Sequence, residues 1–399
     1  MRIPLILLTV VIIVCLSLDL FIWCRVRSGK SRPKLYSRAH VIIAAVSYLV
    51  LAVAVAMPRR GGDEADLAAI MWMLFSFASI YLAKAVYVIC ALIGTVPRLW
   101  GRGRWRWLDV MGCVLAFLLF GGMWWGALIN RFRIDVREVD TQVSGLGNGF
   151  DGYRIVQISD LHTGTYGNDT TYLSRLVDRI NEIDADVVVF TGDIVNRRSD
   201  ELAPHVSVLS RLTARDGVYA ILGNHDYGDY YNWPSPEAKE ENMQILYRMF
   251  DDMGWTLLNN STVMLHSRGD SLALIGVENI GDPPFPVYGS LDKAYPAGAD
   301  GIAKILLSHN PAHWTSDIAD GRTPNDIGLT LAGHTHAMQI ELLGLSPAVF
   351  RYPKWGGMYT DSDGRRLYVN IGIGTVGMPM RFGATPEVTV FTLRPDAQH

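Results

Sequence analysis

The first third of the chain is almost continuously apolar, whereas the rest alternates between short apolar runs and polar turns. Residues 3–23, 40–57, 67–94 and 108–129 are apolar stretches near or above the ~20 residues that cross a bilayer as helix, so the pattern predicts four transmembrane helices. The second is the shortest and ends at Pro58, before Arg59 and Arg60. A basic stretch from Arg25 to Arg38 follows the first run, where a signal peptide would show a small-residue cleavage site, so the first helix is expected to be retained.

From Asn130 the pattern becomes that of a globular α/β domain of about 270 residues, near the upper size of a single domain. Residues 133–139 alternate as an edge strand does, 144–152 reads as a Gly-rich turn, and 154–159 as a strand. Residues 168–170 can cap a helix whose Leu173, Leu176, Val177 and Ile180 share one face. The apolar runs at 186–191, 218–222, 302–307 and 327–332 read as buried strands. Residues 240–253 read as a helix stopped at Gly254, and the Pro- and Gly-rich 282–301 as a long loop. The expected divisions are 1–129 for the membrane region, 130–151 for a linker and edge strand, and 152–399 for the α/β domain.

Composition agrees with a membrane part: 49% of residues are hydrophobic and 19% charged, too apolar for an ordinary soluble protein. Orientation follows from Lys and Arg in the short loops. Arg25, Arg27, Lys30, Arg32, Lys34 and Arg38 in the first loop, with Arg98, Arg102, Arg104 and Arg106 in the third, outnumber Arg2, Arg59, Arg60, Arg131, Arg133 and Arg137 on the other side. The basic loops therefore belong in the cytoplasm and the α/β domain outside, in a multi-pass protein of a bacterial cytoplasmic membrane. Cys15, Cys24, Cys90 and Cys113 all fall in or beside membrane segments, so the α/β domain has no disulfide to form. A net charge of −3 argues against a broad nucleic-acid surface.

Five of the predicted strands end on motifs that carry chemistry: Asp160-Leu161-His162, Gly192-Asp193, Gly223-Asn224-His225-Asp226, Ser308-His309-Asn310 and Gly333-His334-Thr335-His336. A lone Gly-Asp or Asp-x-His usually marks a turn, but the ordered set supplies two Asp, one Asn and four His of metal-ligand type. Phosphate ester hydrolysis needs hydroxide near neutral pH, two anions held together, and a proton for the leaving oxygen. Two divalent cations roughly 3.5–4 Å apart supply the first two. Such a pair needs a bridging carboxylate, with imidazole and oxygen ligands that suit Mn, Fe or Zn.

In order and spacing these motifs resemble those of the calcineurin-like metallophosphoesterases, over about residues 152–393. The tail through Gly372-Ile373-Gly374, Met378-Pro379-Met380-Arg381 and Pro386-Glu387 is similar to a bacterial membrane-associated branch, which includes general phosphodiesterases and enzymes that split nucleotide-linked lipid precursors. The resemblance implies a four-layer αββα sandwich, two mixed sheets flanked by helices, behind an all-α membrane anchor of four helices. It implies that Asp160, His162, Asp193 and His336 hold one metal and Asp193, Asn224, His309 and His334 the other, with Asp193 as bridge and Mn favoured. His225, held by Asp226, would protonate the leaving oxygen, and Arg381 is a weaker candidate for a phosphate contact. One departure is Asn196, which stands where the family often has a second acid.

The remaining features have plainer readings beside the sharp ones. His40, His205, His266, His313 and His399 are expected to be surface or structural. Tyr227, Tyr230, Tyr231 and Trp233 read as a packed lid, with a platform for a base or acyl chain as the alternative. Asp19 and Lys84 lie within membrane spans, where a charge costs ~2.5–3.5 kcal/mol; they are expected to pair, with snorkelling as the alternative. Trp124, Trp125, Trp105 and Trp107 read as interface anchors. The expected function is hydrolysis of a phosphodiester or pyrophosphate, lipid-linked or not, by in-line attack of hydroxide, with the membrane as partner and no nucleic acid. The rivals are a phosphomonoesterase or protein phosphatase, whose Gly-Asp-x-x-Asp-Arg-Gly and Gly-Asn-His-Glu patterns this chain lacks, and a non-catalytic scaffold, which would have no need of a full ligand set.

Overall fold

The computed structural model describes residues 5–27, 34–58, 61–281, 286–319 and 326–396. It divides into two compact units, Met1–Ala127 with Gly377–Pro379, and Leu128–Val376 with Met380–His399.

The first unit is built from four long helices: α1 (Leu5–Arg27), α2 (Lys34–Ala56), α3 (Glu64–Ile93) and α4 (Trp107–Leu128). All four are long and apolar enough to cross a membrane. The second helix is longer than its apolar run, because Lys34 and Arg38, read as loop residues, continue it. Lys30, Arg32, Arg59, Arg60 and Arg2 lie outside the described residues. Arg25 at the end of α1 and Arg104 before α4 both pair with Asp109, so the first and third loops share one end of the bundle. Lys84 and Asp19 do pair, Nζ to Oδ1 at 2.6 Å, and the hydroxyls of Tyr81 and Tyr48 donate to Oδ2 at 2.7 and 3.0 Å. Trp124 is not an interface anchor: it packs edge-on against Phe75 at 5.2 Å and donates to Ser79, because the small Ser79 opens a site between helices for an indole.

The second unit has two six-stranded mixed sheets. One runs in the order β1 (Asp135–Val143), β12 (Glu387–Pro395), β2 (Arg154–Ile158), β3 (Val187–Phe190), β4 (Val218–Ala220) and β5 (Thr256–Leu257). The other runs β10 (Gly357–Thr360), β11 (Arg366–Val369), β9 (Ile327–Ala332), β8 (Ala303–Leu307), β7 (Asp270–Gly276) and β6 (Ser261–Ser267). Alternation decides which face each residue serves. Val187 and Val189 enter the core between the sheets with Ile155, Leu274, Ile305 and Leu329. Val188 and Phe190 face outward, onto α5 (Thr171–Asn181) and α7 (Pro236–Met253), through Leu173, Leu176, Leu246 and Phe250. A single turn, α6 (Val206–Leu209), sits between those helices in sequence. The outer face of the other sheet packs on Leu291, Trp314 and Ile318. The result is the expected layering of helices, sheet, sheet and helices.

Small differences from the sequence pattern have local causes. Helix α7 starts four residues early, because Ser235 caps it and Pro236 fills the first position, where no N–H is needed. The cap of α5 comes from Asp169, whose Oδ1 accepts from Thr171 N at 2.9 Å. The region read as one loop at 282–301 contains α8 (Leu291–Ala294). Residues 282–285 of it lie outside the described residues.

Candidate metal centre

Strands β2, β3 and β4 are parallel neighbours in one sheet, and β8 and β9 in the other, so their C-terminal ends lie along one edge of each sheet. Each of these strands delivers its motif there. Asp160, His162, Asp193, His334 and His336 all have positive φ, between 46° and 74°, which costs about 1–3 kcal/mol per residue. The turns are over-determined by hydrogen bonds: Asp160 N donates to Gly192 O at 2.8 Å, His162 N to Asp193 O at 3.1 Å, and Gly374 N to Asp160 O at 2.7 Å. Two glycines are required by close approach. A Cβ on Gly223 would lie 2.2 Å from Asp193 Oδ1, and one on Gly333 would lie 2.0 Å from Ser159 Oγ.

The side chains converge in two groups. Asp160, His162 and His336 form one, and Asp193, His309 and His334 the other, the donor atoms within each lying within 4.8 Å of one another. In the first group, Nε2 of His336 lies 3.0 Å from Nε2 of His162 and 3.2 Å from Asp160 Oδ1. In the second, Nε2 of His309 lies 3.1 Å from Asp193 Oδ2, 3.2 Å from His334 Nδ1 and 3.2 Å from Asn224 Oδ1. Asp193 Oδ2 also lies 3.7 Å from His162 Nε2, so one carboxylate oxygen reaches both groups. All seven residues that the sequence singled out as ligands therefore meet at one place.

Backbone carbonyls hold the rings. Nδ1 of His309 donates to Thr191 O at 2.7 Å and Nδ1 of His162 to Val195 O at 3.2 Å, which turns the Nε2 atoms inward. His334 is held from its other nitrogen, Nε2, by the Tyr352 hydroxyl at 2.8 Å. Burial favours a neutral Asp193, but His309 beside it more than offsets this and holds the carboxyl well below the ordinary range. Burial likewise opposes charge on His309, yet the Asp193 carboxylate wins and pushes it up to about 9. Buried imidazole nitrogens aimed at one another beside two carboxylates favour a concentrated positive charge between them. That donor set fits divalent cations.

His225 stands beside the first group, edge-on to His162 with centroids 4.8 Å apart, and Tyr230 stacks on it at 4.4 Å. Its Nδ1 donates to the backbone carbonyl of Asn196 at 2.7 Å. The expectation that Asp226 holds it is therefore corrected. The Asp226 carboxylate accepts from the N–H groups of Asp193, Ile194, Val195 and Gly223 at 2.8–3.2 Å, and so ties the turn after β3 to the turn after β4. Burial, then the charge of Asp193, raises its carboxyl to about 7.

Arg381 is also corrected. It is fully buried, donates to the carbonyls of Gly374, Ala384 and Ile371, and lies 3.1 Å from Nδ1 of His336. A guanidinium engaged in this way cannot reach a phosphate in the cavity. The aromatic cluster splits. Tyr227 is buried and stacks on Tyr288 at 3.8 Å, and Trp233 donates to Gly228 O, whereas Tyr230 reaches the site, its hydroxyl accepting from Asn224 Nδ2 at 2.9 Å. Of the other histidines, His205 bonds Gly167 O, His313 bonds Ser308, His40 lies 3.1 Å from Asp19 O, His266 is exposed, and His399 lies outside the described residues.

Above the ligands is a cavity of about 220 Å³ lined by residues that include Asn224, His225, Tyr230, Asn279 and His334. It shares Arg351 and Tyr352 with a second hollow of about 250 Å³ lined also by Pro311, Thr315 and Lys354. Tyr352 was missed by the sequence reading, because an isolated tyrosine eighteen residues past His334 carries no motif.

The sequence profile of the family described as calcineurin-like phosphoesterase matches residues 153–338, and that of the probable calcineurin-like phosphoesterase transmembrane domain matches residues 1–131. The uncharacterized metallophosphoesterase YkuE of Bacillus subtilis is 31% identical over 284 residues, covering 69% of this chain and 90% of that protein. A transmembrane protein with metallophosphoesterase domain from Danio rerio is 31% identical over 268 residues, and the match spans 65% of this chain but only 57% of that relative's length. Among solved structures, a dimetal phosphatase from Danio rerio is 16% identical with a TM-score of 0.32, covering 56% of this chain and 88% of that one. Two clusters of metal-type donors at the strand ends, four membrane-length helices, the two family profiles and the Bacillus relative have one reading: the chain belongs to the calcineurin-like phosphoesterase family, as a metal-dependent phosphoesterase with a transmembrane domain.

Proposed function

We propose that the protein hydrolyses a phosphodiester or pyrophosphate bond at a pair of divalent cations, with Mn²⁺ favoured. The observation that carries this is the position of Asp193 Oδ2, 3.1 Å from His309 Nε2 and 3.7 Å from His162 Nε2, as a carboxylate shared by two cations requires. Asp160, His162 and His336 would complete one set and Asn224, His309 and His334 the other. The bound cations would lower the pKa of a water and neutralise the phosphoryl oxygens.

The chain's own residues do the rest. Asn196 O accepts the Nδ1–H of His225, so with the ring in its imidazolium form Nε2–H is the group that gives its proton to the leaving oxygen, leaving the neutral ring with Nδ1–H. Tyr230, stacked on that ring, fixes its plane. Asn279 and Arg351 line the cavity and offer donors to the phosphoryl oxygens and their substituents. The two adjoining hollows give each side of a diester its own space, which favours a diester or pyrophosphate over a monoester.

The loops with more Lys and Arg share one end of the bundle, which supports placing that end in the cytoplasm and the catalytic unit outside. We place the protein in a bacterial cytoplasmic membrane, in line with its similarity to a Bacillus protein over most of that protein's length. The full chain in detergent should turn over an aryl phosphodiester, lose that activity to a chelator and regain it with Mn²⁺. Activity that survives exhaustive metal removal would overturn the reading.

A further inference from the structure

The loop between β9 and β10 exposes apolar side chains that the fold does not need in water. Leu343 is 94% exposed, Phe350 93% and Leu345 75%, with Leu342, Val349 and Met338 beside them in sequence. So many exposed large apolar side chains in one loop mark an interaction site. The tip is a tight turn in which Leu342 and Leu345 exchange both backbone hydrogen bonds, at 2.9 and 3.0 Å. Its central residues, Leu343 and Gly344, both have positive φ, 54° and 77°. Such a turn favours Asn, Asp or Gly at both places. A leucine there is strained and hydrated at once, and neither cost serves folding.

Two further observations say what covers this surface. First, Arg351 and Lys354 follow the apolar residues directly and line the hollow that adjoins the metal centre. Apolar tips flanked by cations match the boundary between acyl chains and phosphate headgroups. Second, the polypeptide enters the catalytic unit at the ligand-bearing edge. Strand β1 starts at Asp135 beside Glu387, β12 runs antiparallel to β2, and β2 ends two residues before Asp160. Asn130, two residues past the end of α4, donates to Arg381 O at 2.9 Å, and Arg381 lies against His336. Within the catalytic unit, the residues that follow α4 in sequence thus pack at the edge that holds the ligands.

We propose that residues 342–350 insert into the bilayer interface and that Arg351 and Lys354 receive lipid headgroup phosphates, so that the scissile phosphoester belongs to a membrane lipid. This rests on the hydrolytic reading above for the substrate, but not for the insertion. The loop ends at Tyr352, whose hydroxyl touches His334, so a headgroup held at Arg351 lies beside the metal centre.

The test uses the full chain in vesicles of phosphatidylethanolamine and phosphatidylglycerol, with Cys15, Cys24, Cys90 and Cys113 replaced by alanine. A single cysteine at position 343 (Leu343→Cys) carries an environment-sensitive fluorophore, and Arg268→Cys serves as control. Arg268 is exposed in the β6–β7 turn, at the start of β7 and so at the opposite sheet edge. The expected result is blue-shifted emission at 343, quenched by spin-labelled lipid and not by iodide, with the reverse at 268. Iodide quenching at both positions would overturn the proposal. Shielding from both quenchers at 343 would overturn it too, in favour of a protein partner or a second copy. Should the cysteine-free chain fail to fold, the double variant L343D/F350D in the native background decides. Its turnover of a lipid-borne phosphodiester should fall at least about tenfold relative to a soluble aryl diester. An unchanged ratio would overturn the proposal, and loss of the soluble activity in the parent chain would instead count against the hydrolytic reading.

Discussion

The Tyr352 hydroxyl lies 2.8 Å from Nε2 of His334, and His334 Nδ1 lies 3.2 Å from Nε2 of His309. With its proton on Nε2 and directed at the hydroxyl, the ring turns the Nδ1 lone pair toward Asp193 and His309. Groups that orient a ligand in this way are worth about 10–100-fold in metal affinity. Tyr352→Phe is expected to weaken one of two Mn²⁺ binding events by about tenfold and leave the other unchanged. Calorimetric titration of the metal-free protein reads both; equal weakening of the two, or of neither, would remove the role.

His225 and Asp226 are neighbours with separate tasks. Loss of a general acid costs about 10²–10⁴ in rate, and the cost is smaller when the leaving group needs no proton. His225→Ala should therefore slow an alkyl phosphodiester by at least about a hundredfold, slow a nitrophenyl diester much less, and keep its metals. Asp226→Asn instead replaces one carboxylate oxygen by an amide donor that faces two of the four backbone N–H groups, costing about 1–3 kcal/mol of stability. It should lower the melting temperature while the leaving-group dependence stays that of the wild type. Identical leaving-group profiles for the two variants would contradict the separation.

Much of this centre was legible in the chain because each ligand is a side chain at the end of an apolar run. Asp160 follows β2, Asp193 follows β3 and His309 follows β8, and the unbroken apolar run Val187–Phe190, buried at every position, already says that the strand is covered on both faces. What holds the ligands was not legible. His225 rests on the carbonyl of Asn196, and carbonyls are the same at every position. Arg381 sat in a motif that suggested phosphate, yet burial made it a brace under His336. Asp226 was read by sequence adjacency, whereas the turn after β4 points its carboxylate back at the turn after β3.

His313 gives a pH dependence outside the metal centre. Burial pushes its imidazole down to about 4, with Asp317 opposing, and Ser308 Oγ lies 2.8 Å from its Nδ1. The unfolded chain takes up a proton near 6.5 that the folded chain refuses until about 4. Stability is therefore lost as pH falls through that window, by up to about 3 kcal/mol. In melting curves from pH 7 to 4, His313→Gln should fall less steeply than the wild type. Parallel curves would mean that His313 does not contribute.

In the helical unit, Asp19 accepts from Lys84, Tyr81 and Tyr48. Removing one partner of a buried pair leaves a charge that costs about 3–5 kcal/mol. Asp19→Ala should lower the melting temperature in detergent, and adding Lys84→Met should recover much of the loss. A double variant no more stable than Asp19→Ala would show that the pair is not the reason.

The central claim is a carboxylate shared by two cations. Elemental analysis of the Mn²⁺-loaded, desalted chain measures it most directly. The expected result is about two ions per chain in the wild type and fewer than about one in Asp193→Ala, since both sites lose a ligand at once. A single ion in the wild type, or two retained without Asp193, would contradict it.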